Sequence, residues 1–168
     1  MLYKRVNRKR GRSYKMSEAA SVLKKLNFKD QGQSVLVINA PKSYDEIKAA
    51  FEGEVHQQAE LAMYDFVQVF GTSNEELQSN AKKAVTYVKD DGLLWLCYPK
   101  KTSKVYKGSD CSRDTVTGML SEEGYEPVRQ IAIDDDWSAL RFRKPEKIKK
   151  MVRDFAVTAE GIKRTKKE

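Results

Sequence analysis

The groups able to do chemistry are spread unevenly along these 168 residues. Cations stand at Lys42 and at Lys100, Lys101 and Lys104, and three carboxylates follow one another at Asp134, Asp135 and Asp136, beside Trp137. Lysine and aspartate serve as acid, base or nucleophile only where burial or close pairing moves their pKa toward neutrality. Lys100, Lys104, Asp135 and Asp136 are the set that an enzyme would draw on. The same lysines suit a phosphate or carboxylate ligand, with the amide of Asn39 and nearby hydroxyls as further donors. Consecutive residues of a strand point to opposite faces, so the three aspartates do not read as a metal site. One histidine, His56, and two cysteines, Cys97 and Cys111, argue against a zinc site of nitrogen and sulfur ligands. They also leave no His-dependent triad unless His56 itself serves.

The composition, 40% hydrophobic and 33% charged, fits one domain able to bury a core. Its longest apolar run, Leu93 to Tyr98, suits a buried strand and is far too short to span a membrane. The basic first residues lead into no apolar h-region, against a secretory signal, and the sparse cysteines fit a reducing, cytoplasmic setting. The net charge of +8 is unevenly distributed: residues 1–15 carry +7, residues 144–168 carry +5, and the stretch between them carries −4. The sequence therefore predicts a disordered basic tail over 1–15, one α/β domain over 16–143, and a basic C-terminal helix and tail over 144–168.

Elements able to position the chemical groups are legible between the tails. Ala20, Leu23 and Leu26 mark a short first helix. Val35-Leu36-Val37-Ile38, Tyr64 to Phe70 and Leu93 to Tyr98 are near-continuous apolar runs, the signature of strands covered on both faces. Ser43 with Glu46, and Ser73 with Glu76, predict capping boxes opening the helices between them. Leu77, Ala81, Ala84, Val85 and Val88 continue the second as an amphipathic helix. The segment Glu54 to Met63 reads as a helical connection, and Asp91-Gly92 as a turn. A helix over Asp110 to Glu123 ends at Gly124. Val128 to Ile133 and Ala139 to Phe142 are too close for a crossover and predict an antiparallel hairpin. Pro145 suits the first turn of a last helix. The expected fold is a three-layer, Rossmann-like α/β sheet of about five strands, mostly parallel with a C-terminal antiparallel hairpin.

The phrases YDFVQVF, DDGLLWL, EEGYEPVRQIAI and WSALRFR resemble, in their order, a shortened class I methyltransferase fold over roughly residues 34–143. VLVINAP, YDFVQVF, GLLWLCYPKKTSK and DDDWSALRF resemble a bacterial domain-of-unknown-function family, which implies the fold and an intracellular bacterial origin but no activity. The methyltransferase resemblance implies a glycine-rich turn after the first strand, where Asn39-Ala40-Pro41-Lys42 stands instead. It also implies a next strand ending in an acid for the ribose hydroxyls, which the sequence does not show.

In open parallel sheets ligands bind outside the carboxyl ends of the strands. Here those ends are 39–42, 71–73, 99–104 and the hairpin tip 134–138, and they place Asn39, Lys42, Ser73, Lys100, Lys104, Asp135, Asp136 and Trp137 along one edge. Helix starts at Ser43 and Ser73 would add N–H groups for an anion. Arg141 and Arg143, two apart on one strand, would bridge to Glu126 or Asp65 or line an anion pocket. Three functions are compatible with this pattern. The first is a non-catalytic module for a small anionic ligand or a protein partner at that edge. The second is weak nucleic-acid association through the basic ends. The third is a diverged methyltransferase-like enzyme.

Overall fold

The computed structural model describes residues 18–148 together with Thr158, Gly161 and Ile162. The basic tail expected over 1–15 and most of the helix expected after Pro145 lie outside these residues. Only a 3-10 turn, Pro145–Lys147, opens the latter.

The elements run α1 (18–25), β1 (Val35–Ile38), α2 (Asp45–Ala50), β2 (Val55–His56), β3 (Tyr64–Phe70), α3 (Asn74–Ala84), β4 (Val88–Pro99), α4 (Arg113–Thr117), β5 (Glu126–Ala132) and β6 (Trp137–Arg143). They form a six-stranded sheet in the order β2-β1-β3-β4-β6-β5. The first four strands pair in parallel, and β6 is antiparallel to both neighbours. This is the expected mostly parallel α/β sheet closed by a hairpin, with one strand more than expected.

The three apolar runs are central strands because each offers apolar side chains to both faces. On one face Leu36, Val67, Leu94, Leu96 and Leu140 meet Leu77, Ala81 and Ala84 of α3 and Val116 of α4. On the other, Val35, Val37, Phe66, Trp95 and Ala139 meet Val22 and Leu26 beside α1 and Tyr44 and Phe51 beside α2. Trp95 also donates its Nε1 hydrogen to the Leu26 carbonyl at 3.2 Å, tying the end of α1 to the middle of the sheet.

Several local expectations are corrected. The segment expected to be a helical connection contains β2, a two-residue strand paired in parallel with β1, so the strand that the sequence does not show is present. It ends in His56, not in an acid. Strand β4 begins at Val88 and passes through Asp91, whose φ of 55° marks an irregularity within the strand where a turn was expected. Helix α3 accordingly stops at Ala84 and tightens into a 3-10 turn. The helix expected over Asp110 to Glu123 is regular only over Arg113–Thr117. Residues Lys42–Tyr44 form a 3-10 turn, so Ser43 caps nothing and α2 has no side-chain N-cap. Ser73 does cap α3, accepting the Glu76 N–H at 3.2 Å. Glu76 turns instead to the N–H of Thr72, so half of the expected capping box forms.

Candidate functional site

Two loops meet at the carboxyl end of β4. In the β5–β6 turn, Asp134 accepts the N–H groups of Asp136 and Trp137, both at 2.8 Å. Asp136 then reaches the loop after β4. Its Oδ1 accepts the Ser103 hydroxyl at 2.7 Å, and its carbonyl accepts the Lys100 N–H at 2.8 Å. Ser103 is 4% exposed, and its oxygen also accepts the N–H groups of Val105 and Tyr106. One hydroxyl thus orders a loop that the sequence presents as a solvated KKTSK stretch. Between the loops lies an open cavity of about 470 Å³ lined by Lys100, Thr102, Lys104, Asp135 and Asp136. The lining carries two ammonium groups and two carboxylates, and Ser103 holds one of the carboxylates, that of Asp136, in place. Lys100 and Lys104 are the donors that an anion would use there. Asp134 and Asp136 point into different hydrogen bonds, and among the described residues no three His, Cys, Asp or Glu side chains converge on a point.

Four of the eight residues expected at this edge line the cavity: Lys100, Lys104, Asp135 and Asp136. The others are placed differently. The Trp137 ring is 2% exposed and meets Phe70 and Tyr106 edge-on at 5.2 and 5.0 Å, so it is a wedge beneath the loops and not a stacking platform. Lys42 lies on its 3-10 turn, and the Ser73 side chain is occupied as a cap. Thr102 and Ser103 are additions that the sequence does not announce. Nothing local marks them, because the partner of Ser103 is 33 residues away.

Asn39 stands at the crevice between β1 and β3, where the strand order reverses and such sheets hold their ligands. It adopts φ 62° and donates its amide to the Phe70 carbonyl at 3.0 Å, bridging the two strand ends. Nearby the Tyr44 ring packs on Phe70 at 4.8 Å, and the Tyr44 hydroxyl donates to Gln68 at 2.7 Å. Gln68 in turn donates to Cys97 Sγ at 3.3 Å. Burial pushes the Tyr44 phenol and the Cys97 thiol well up from their ordinary ranges, so both stay protonated and Cys97 is no nucleophile.

His56 is equally structural. The Tyr64 hydroxyl accepts the N–H groups of Glu60 and Leu61, which leaves its own hydrogen for His56 Nδ1 at 2.6 Å. The histidine proton then sits on Nε2, 3.2 Å from Glu54. The expected partners of the strand arginines are also corrected. Arg143 pairs with Asp91 at 2.7 and 3.0 Å, Asp65 faces Lys89, and Glu126 accepts the N–H and hydroxyl of Thr158.

Neither a family model nor a curated protein matches the sequence. Solved structures do. The mitomycin 7-O-methyltransferase MmcR aligns with a TM-score of 0.53 at 9% identity, over 77% of this chain and 53% of its own. The fold is similar to that of this methyltransferase. PigF, solved with SAH, aligns at 0.49 and 10% identity over 86% and 70% of the two chains. A TehB-like SAM-dependent methyltransferase from Corynebacterium glutamicum aligns at 0.44 and 10% identity over 85% and 98%. The chain spans about half the length of MmcR.

The β1–β3 crevice departs from the glycine-rich turn that the methyltransferase resemblance of the sequence implies. Asn39-Ala40-Pro41-Lys42 follows β1, without a glycine. The Asn39 amide bridges the gap instead.

Proposed function

We propose that this chain is a non-catalytic binding module on a methyltransferase-like fold, taking a small anionic ligand at the cavity between the β4 loop and the β5–β6 turn. The observation that carries this reading is the contrast between two ends of one edge. The crevice that serves the cofactor in the fold is bridged by Asn39, whereas Lys100 and Lys104 stand at an open cavity held in shape by the Ser103–Asp136 bond. Among the described residues no buried nucleophile or base lines that cavity, which supports binding over catalysis.

Thermal unfolding of the full chain with pyrophosphate, ATP, S-adenosylmethionine and S-adenosylhomocysteine tests it. A ligand at 100 times its Kd stabilises by about 2.7 kcal/mol, roughly 5–10 °C for a domain of this size. We expect a shift with a phosphate compound that disappears in Lys100→Ala/Lys104→Ala. A shift that survives that change overturns the assignment. The methyltransferase-like fold favours one other reading, a diverged enzyme. A shift with the adenosyl compounds alone, insensitive to Lys100 and Lys104, would establish cofactor binding and displace the first reading.

A further inference from the structure

A second charged surface lies away from that cavity, on the face of the hairpin shared with Trp95. Arg129 of β5 stands directly across from Arg141 of β6, and Arg143 follows two residues along the same strand. Arginines opposed in this way are neighbours at about 5 Å between Cβ atoms, an arrangement that repels. Arg143 is neutralised by Asp91. Among the described residues neither Arg129 nor Arg141 has a carboxylate within salt-bridge distance, and the Nε of Arg141 is shielded from solvent with no hydrogen-bond partner. Burial, then Arg143, and also Arg129, pull the Arg141 pKa down, while Asp91 opposes them. Among the described residues two guanidinium charges are therefore held side by side with no carboxylate paired directly to either.

We propose that this arginine face binds the phosphate backbone of a nucleic acid. Guanidinium forks match phosphate oxygens in bidentate fashion, which lysine does not. Arg129 is exposed on the hairpin and Arg141 is half-buried across from it, so the pair lies on a strand surface along which an extended polyanion can run, whereas small-molecule sites are concave. The chain's net charge of +8, carried by its two ends and not by the stretch that bears these arginines, has the sign needed to draw such a partner toward the protein. Interactions of this kind position the protein without reading sequence. The inference is independent of the ligand cavity.

The test is fluorescence anisotropy of the full chain with a labelled DNA duplex of mixed sequence over a range of salt. Each phosphate that the protein ceases to neutralise lowers the slope of log affinity against log salt by about 0.9. Arg129→Ala/Arg141→Ala should therefore lower it by about 2 and weaken binding about tenfold. Arg129→Lys/Arg141→Lys keeps both charges and should restore most of the slope. Arg129→Ala alone, at an exposed position, should lower the slope by about 1 without disturbing the fold. Binding that is unchanged in Arg129→Ala and in the double alanine variant overturns the proposal, since the basic ends would then account for it. So does no binding at low salt, or a preference for polyglutamate over the duplex.

Discussion

Asp135 and Asp136 are neighbours in sequence, yet their side chains have different tasks. Asp136 is tied to Ser103, whose oxygen satisfies two backbone N–H groups, so Ser103→Ala should cost about 1–3 kcal/mol by leaving buried polar groups without partners. Asp135→Ala, at an exposed position, should change stability by less than about 0.5 kcal/mol. Urea denaturation of the two variants measures both. Buried acids set the response to alkali. Cys97 and Tyr44 ionise in the unfolded chain near their ordinary values, 9.0 and 10.0, and higher in the fold. The stability they contribute is complete below pH 9.0 and is lost as pH rises toward the folded-state values. Urea midpoints should therefore fall progressively above about pH 9, and less steeply in Tyr44→Phe. A midpoint that held constant there would contradict the assignment. At this scale the sequence shows which residues carry charge but not what they bond to. Lys100, Lys104 and Asp135 were legible as neighbours because loop positions after strands converge by topology. Ser103 was not, since its role depends on a partner far along the chain.

The elements were legible in proportion to how much apolar surface they bury. VLVI, YDFVQVF and LLWLCY announce themselves because both faces are covered. Two-residue β2 shows no periodicity and exists only because β1 offers it an edge. The start of β4 is hidden for a related reason: Lys89, Asp90 and Asp91 are exposed and polar, so the strand there is held by its neighbours and not by burial of its own side chains. Close packing between elements gives a sharper test. A Cβ on Gly71 would lie 2.7 Å from the Cα and Cβ of Leu77, so Gly71→Ala must push α3 off the end of β3. We expect a loss of about 1–3 kcal/mol in urea denaturation. Ser73→Ala, which removes only the cap of the same helix, should cost about 1 kcal/mol.

Over the whole molecule, the hairpin expected from the short 134–138 connection is present, but its strands are not placed side by side at the sheet edge in chain order. The last described strand, β6, lies between β4 and β5, and among the described residues β5 has no other neighbour in the sheet. The sequence carries no sign of this insertion, because apolar pattern reports which strands are covered and not which strand adjoins which. A chain ending before Trp137 should lack a cooperative unfolding transition by circular dichroism, since β5 would lose its partner and β4 would gain an edge. The same order fixes a timetable during synthesis. While the ribosome is still making the β5–β6 turn, Leu94, Leu96 and Tyr98 wait along an open edge with β5 unattached, and only release of residues through Arg143 lets the sheet close. The nascent chain thus carries an adhesive strand edge until almost all of the described domain has emerged, and that interval is when a chaperone, or another copy of the chain, would find it.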